Sequence, residues 1–165
     1  MASTYEPIAA VTVSSASNSV LVMSSIPSTY TDLRLIIVGN TNNPTNPVFQ
    51  FNSDTASNYS MTYVSGDGSS ALSGRRSNQS YGWTGYNAYM NSSTISMGTL
   101  DIMNYANTTT YKTAIGRYSN AATGTEAIVN LWRSTSAINR IDILTGSANT
   151  FSVGTTFTLY GILAA

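Results

Sequence analysis

Thr155-Thr-Phe-Thr-Leu-Tyr-Gly-Ile162 sets apolar against polar side chains at every second position. Phe157 and Leu159 fall on one face, Thr158 and Tyr160 on the other. A period of two is the signature of a β-strand. The same alternation recurs upstream. Leu100 and Ile102 oppose Asp101 and Met103, Val129 and Leu131 oppose Asn130 and Trp132, and Ile141 and Ile143 oppose Arg140 and Asp142. Leu33-Arg-Leu-Ile-Ile-Val38 is the most apolar run and is predicted to lie centrally.

Working outward, strands are predicted at Ile8–Val13, Val20–Met23, Val48–Phe51 and Ser60–Val64. The second half is more regular, with strands predicted at 97–104, 111–118, 126–133, 138–144 and 155–162. Residues 65–79 read as the longest polar loop, and Tyr81–Met90 as an aromatic, glycine-interrupted strand. No window carries a capped apolar stripe at helical spacing, and no fixed-period repeat is present. About ten short strands separated by turn residues predict an all-β, two-sheet antiparallel sandwich, jelly-roll-like. The domain is expected over 8–165, behind an extended N-terminal arm over 1–7.

Composition narrows the chemistry. The 165 residues include no histidine, no cysteine and a single lysine, Lys112, with seven cationic and seven anionic side chains in all. In their place stand 25 Ser, 23 Thr, 16 Asn and 11 Tyr. Histidine is the usual acid–base group near neutral pH, and cysteine the usual soft ligand and strong nucleophile. Without either, catalysis is not expected. Abundant Val, Ile, Thr and Tyr at low charge speak for strands and turns rather than disorder. A chain of this length buries roughly 70% of its unfolded surface, enough for a core without disulfides. Met1–Pro7 has no basic start and no apolar run behind it, so no secretory leader is expected. The longest apolar stretch, Leu35–Val38, is far too short to span a bilayer. A net charge of zero, with no basic cluster beyond Arg75-Arg76, argues against nucleic acid.

The constellations that carry chemistry are weak. A serine–lysine dyad would have to use Lys112, which reads as a surface strand lysine. The acids Glu6, Asp32, Asp54, Asp67, Asp101, Glu126 and Asp142 are scattered one per segment, so the apposed pair that glycoside hydrolysis requires is not expected. Asn52, Asp54 and Asn58 offer oxygen ligands, but turns capped by their own side chains explain the segment better than calcium. No metal and no cofactor is expected. Tyr81, Trp83 and Tyr86, with Trp132, are candidate stacking platforms for sugars, or else aromatics packed at an edge or interface. Among the charges inside predicted strands are Arg34, Asp101, Lys112, Arg117, Arg133, Arg140 and Asp142. They read as outward-facing partners in cross-strand pairs, or as a face that docks a partner.

Six stretches stand out as landmarks: Met1-Ala-Ser-Thr-Tyr-Glu-Pro-Ile8, Ser24-Ser-Ile-Pro-Ser-Thr-Tyr-Thr-Asp-Leu33, Phe51-Asn-Ser-Asp-Thr-Ala-Ser-Asn-Tyr-Ser60, Met103-Asn-Tyr-Ala-Asn-Thr-Thr-Thr-Tyr-Lys-Thr113, Leu131-Trp-Arg-Ser-Thr135 and Gly154-Thr-Thr-Phe-Thr-Leu-Tyr-Gly-Ile162. Together they resemble a recurring group of small structural proteins of tailed bacteriophages. The likeness spans nearly the whole chain, and the chain departs from it at Arg75-Arg76. It implies a β-sandwich virion component: a head decoration (cement) protein, or a tail or fibre accessory for carbohydrate adsorption. The implied partners are the phage major capsid protein and copies of the chain itself, as a dimer or trimer, with no nucleic acid and no membrane. The implied location is the outer capsid surface, after assembly in the host cytoplasm. Candidate contact residues are Tyr5, Arg75, Arg76, Arg117, Arg133, Arg140 and Asp142.

Overall fold

The computed structural model describes residues 4–16, 21–146 and 148–163. Its strands are β1 (Tyr5–Thr12), β2 (Leu21–Ser24), β3 (Asp32–Gly39), β4 (Pro47–Phe51), β5 (Tyr59–Gly66), β6 (Ala71–Gln79), β7 (Gly82–Trp83), β8 (Ser96–Ile102), β9 (Lys112–Asn120), β10 (Gly124–Trp132), β11 (Arg140–Thr145) and β12 (Thr156–Ile162). No helix occurs among the described residues. The larger sheet runs β1-β12-β3-β8-β9-β10-β5-β6 and the smaller β2-β11-β4-β7, with antiparallel pairing throughout. The chain alternates between the sheets through its first five strands, as in a jelly roll. The expected all-β sandwich is thus the observed fold.

Alternation decides which side chains meet. Leu33, Leu35 and Ile37 of β3, Leu100 and Ile102 of β8, and Phe157 and Leu159 of β12 are buried. They share one core with Met23, Phe49, Phe51, Ile141 and Ile143 of the smaller sheet. Each such side chain stabilises the fold by about 1.5–3 kcal/mol through burial. Where backbone and ring approach closely, only glycine fits. A Cβ at Gly98 or Gly85 would lie 2.6 or 2.7 Å from the Tyr118 side chain.

The structure differs from the sequence expectations in three places. Tyr5, Glu6 and Pro7 are not part of a free arm but pair with Ile162, Gly161 and Tyr160 of β12. The open edge of β12 supplies the backbone partners, and Pro7, which has no N–H, is tolerated on an edge strand. Residues 1–3 of the expected arm, and Val20 of the second predicted strand, lie outside the described residues. Residues 65–79 are not a loop: β5 and β6 form a hairpin turning at Asp67–Ser70. Tyr81–Met90 is mostly irregular, with only Gly82–Trp83 in a strand.

Candidate functional site

The inner face of β10 explains why 81–90 is not a strand. Glu126, Ile128, Asn130 and Trp132 all point inward and are buried. The Asn130 amide accepts the Trp83 N–H at 3.0 Å and donates to the Trp83 carbonyl at 2.9 Å, in the manner of a neighbouring backbone. The Glu126 carboxylate accepts three successive backbone N–H groups, from Tyr86 (2.9 Å), Asn87 (2.6 Å) and Ala88 (3.1 Å). Two side chains thereby replace a strand ladder. Nothing within 81–90 announces this, because the acceptors lie some forty residues downstream.

All seven carboxylates are engaged in this way. Glu6 accepts from the Tyr30 hydroxyl (2.9 Å) and Asp32 from the Asn104 N–H (2.7 Å). Asp54 accepts from Ala56 N–H, the Asn58 amide and Trp132 Nε1, and Asp67 from Ser69 and Ser70. Asp101 takes both Nε and Nη2 of Arg34 across β3–β8, the latter at 2.9 Å. Asp142 takes Arg140 Nε (2.8 Å) and the Ser53 hydroxyl (2.9 Å). Asn52, expected to cap its own turn, instead accepts the Asn139 and Arg140 N–H groups, while Asp54 does cap its turn through the Ala56 N–H. No group of three side chains able to hold a metal occurs among the described residues.

The cations divide into two kinds. Lys112, expected on the surface, points inward at 1% exposure and donates to the Thr110 (2.9 Å) and Thr135 (3.2 Å) carbonyls. Burial lowers its pKa. Arg34 is raised by its bond to Asp101. Arg133 is held by the Ser60 hydroxyl, the Ser57 carbonyl and Asn78, and Arg140 by Asp142. Arg76 donates to the Tyr86 hydroxyl and lies 5.0 Å from the centre of that ring. Arg133, Arg140 and Asp142, expected as partner contacts, are therefore bound within their own chain. Tyr5 stacks edge-on to Tyr160 beneath the Arg34 guanidinium. Arg75 and Arg117 alone are exposed with no hydrogen-bonding or ionic partner among the described residues.

The aromatic run also divides. Trp83 and Trp132 are 6% and 3% exposed and cannot serve as open stacking platforms. Trp83 closes a satellite core with Val48, Met61 and Ile128, against which Tyr63, Tyr81 and Tyr86 pack. Tyr81 and Tyr86 remain half-exposed, 4.8 and 5.8 Å from Trp83 between ring centres. Sequence alternation could not tell which side of β10 was inner. Because Trp132 and Asn130 turn in, Val129 and Leu131 turn out.

The outer face of the larger sheet carries the remaining free groups. Val64 (56% exposed) and Ile115 (49%), with Val129 and Ala127, form an apolar surface over β9, β10 and β5. Arg117 stands on β9 beside it and Arg75 on β6.

These environments fix a pH profile. Burial pushes Asp54 up, but hydrogen bonds from Asn58, Trp132 and Ala56 outweigh it and hold the group below 3.8, while the Ser70 and Ser69 N–H groups bring Asp67 to about 2. Their contributions are present above the unfolded pKa and are lost as pH falls through the folded one. Burial raises Tyr59, Tyr105 and Tyr118 above 10.0, and the bond to Glu6 raises Tyr30. Their contributions are present below the unfolded pKa and are lost as pH climbs toward the folded one. Lys112 acts in the opposite sense, its burial cost easing as it deprotonates. With no histidine or cysteine between these limits, melting temperature is expected to stay level from about pH 5 to 9 and to fall on either side. Calorimetry across pH 2–12 checks this, and a slope through pH 6–7 would contradict it.

No family model and no curated protein matches the chain. Solved structures overlay it loosely. The galectin LEC-6 of Caenorhabditis elegans is 8% identical, covering 90% of this chain and 94% of its own, at a TM-score of 0.39. A PL-14 alginate lyase from Aplysia kurodai is 11% identical over 85% of this chain and 72% of its own, at 0.39. The alginate lyase Aly36B is 10% identical over 94% and 82%, at 0.37. Likeness this distant carries no argument about what the present chain binds or does.

Proposed function

We propose that this chain is a non-catalytic structural protein that assembles onto a larger protein surface. Following the phage resemblance of its landmarks, that surface is the outer head of a tailed bacteriophage. The chain acts there as a decoration (cement) protein on the major capsid protein, in several copies, assembled in the host cytoplasm. One observation carries the reading. Every carboxylate accepts hydrogen bonds from its own chain, and the sole lysine is buried against carbonyls. Groups so engaged fix the shape of the sandwich and are poorly placed to exchange protons with a substrate. The exposed groups are instead those of a contact surface: aliphatic side chains, Thr, Ser and two free arginines.

The test uses virions assembled from a genome in which this gene is disrupted. Purified chain added back is expected to sediment with the heads and to raise the temperature at which they release DNA. Failure to associate with any part of the particle would sink the proposal. Association with the tail alone would favour the second reading, adsorption to host carbohydrate. Its support is the half-exposed Tyr81 and Tyr86. A glycan array hit lost in Tyr86→Ala would establish that reading, and Trp83 is unsuited to the test because it is buried.

A further inference from the structure

We propose that the outer face of β9, β10, β5 and β6 is the docking surface, and that its occupant is a different protein bearing carboxylates around an apolar centre, not a second copy of this chain. The inference rests on the assembly role proposed above and adds where contact is made and what chemistry answers it.

Register places the groups. One cross-strand row reads Arg117, Ala127, Val64 and Ser73, and the next reads Ile115, Val129, Thr62 and Arg75. Ala127 and Val64 fill the middle of the first row, and Ile115 and Val129 form the half of the second that lies away from Arg75, with Thr62 between. The arginines stand at opposite ends, three strand spacings or roughly 14 Å apart across the sheet. Shallow depressions run between them, one lined by Thr62, Val64, Ile115 and Val129, one reaching Arg117 and one reaching Arg75. An exposed patch of this kind marks an interaction site more often than scattered apolar residues do.

Charge decides the occupant. A second copy laid face to face would bring four arginines together. It could answer them only with carboxylates that already accept hydrogen bonds from their own chain. Asp101, on the same face, is held by two nitrogens of Arg34. Drawing it away would strip a paired charge to satisfy an unpaired one, with no net gain. A foreign surface that brings its own carboxylates meets Arg75 and Arg117 without that cost. Arginine–carboxylate pairs are directional and discriminate against wrong partners.

Two measurements test the proposal on the particles lacking the chain. Arg75→Glu/Arg117→Glu should bind at least tenfold more weakly than wild type, while Arg75→Lys/Arg117→Lys keeps most of the affinity and its salt dependence. Wild-type binding with the Glu pair unaffected would overturn the docking face and leave the assembly role standing. No wild-type binding would overturn both. In the second measurement, Ala127→Cys gives the chain its sole thiol, at the centre of the face. It should react freely with a maleimide in the isolated protein and become protected on the particle. Protection in the isolated protein at micromolar concentration would mean that a second copy covers the face, which would refute the proposal.

Discussion

Glu126→Ala is expected to lower stability by about 3 kcal/mol, because it leaves three buried or half-buried backbone donors without an acceptor. At this chain length that corresponds to a fall in melting temperature of about 6–12 °C. The damage should be local at first. The amides of Tyr86, Asn87 and Ala88 should lose protection from hydrogen exchange well before those of the β9–β10 ladder. Glu126→Gln keeps one acceptor oxygen but turns an N–H₂ group toward the donors, so an intermediate loss is expected. A melting temperature within a degree of wild type for the alanine variant would show that water replaces the carboxylate at little cost.

Trp132→Ala is expected to cost more, about 3–5 kcal/mol. The indole packs 5.5 Å from the Phe51 ring and is stacked on Tyr59 at 6.3 Å, between ring centres. Its Nε1 donates to Asp54 at 2.7 Å, one of three bonds that hold that carboxylate ionised. Alanine removes the packing and one donor together. Trp132→Phe separates the two, retaining most of the packing while losing the bond, and should fall between. Equilibrium denaturation followed by far-UV circular dichroism reads all three proteins. An alanine variant as stable as wild type would mean that the ring is not part of the core.

How much of this was legible in the sequence depended on whether a segment buries an apolar face. β3 and β12 do: the apolar run of the first predicted a central strand, and the alternation of the second predicted a strand and its two faces. β6 does not. Ala71-Leu-Ser-Gly-Arg-Arg-Ser-Asn-Gln79 is an edge strand whose backbone ladder runs to β5, and most of its side chains are exposed. No hydrophobic period could have revealed it. Tyr81–Met90 failed for the opposite reason. Its aromatics read as strand, yet its backbone is gripped by Asn130 and Glu126 from far along the chain.

The charges show the same limit. Arg140 and Asp142 are two apart in one strand, so a shared face was readable and their pairing follows. Arg34 and Asp101 meet only because β3 and β8 are neighbours, 67 residues apart. Arg117 and Arg133 looked alike as strand-borne cations. Only the fold reveals that Arg133 is bound to its own chain and that Arg117 has no partner among the described residues. Lys112 alternates with Thr113 like any surface residue, and its inward turn follows from the register of β9 against β10.

The grip of β10 on 83–88 also bears on how this protein can change. Asn130 and Glu126 hold main-chain atoms only, those of Trp83, Tyr86, Asn87 and Ala88. Anchors of that type are indifferent to the side chains they support. The segment is thus a cassette on a constant socket: Tyr86 and Asn87 can be exchanged for other residues while the loop keeps its path, so the surface can be retuned without refolding the sandwich.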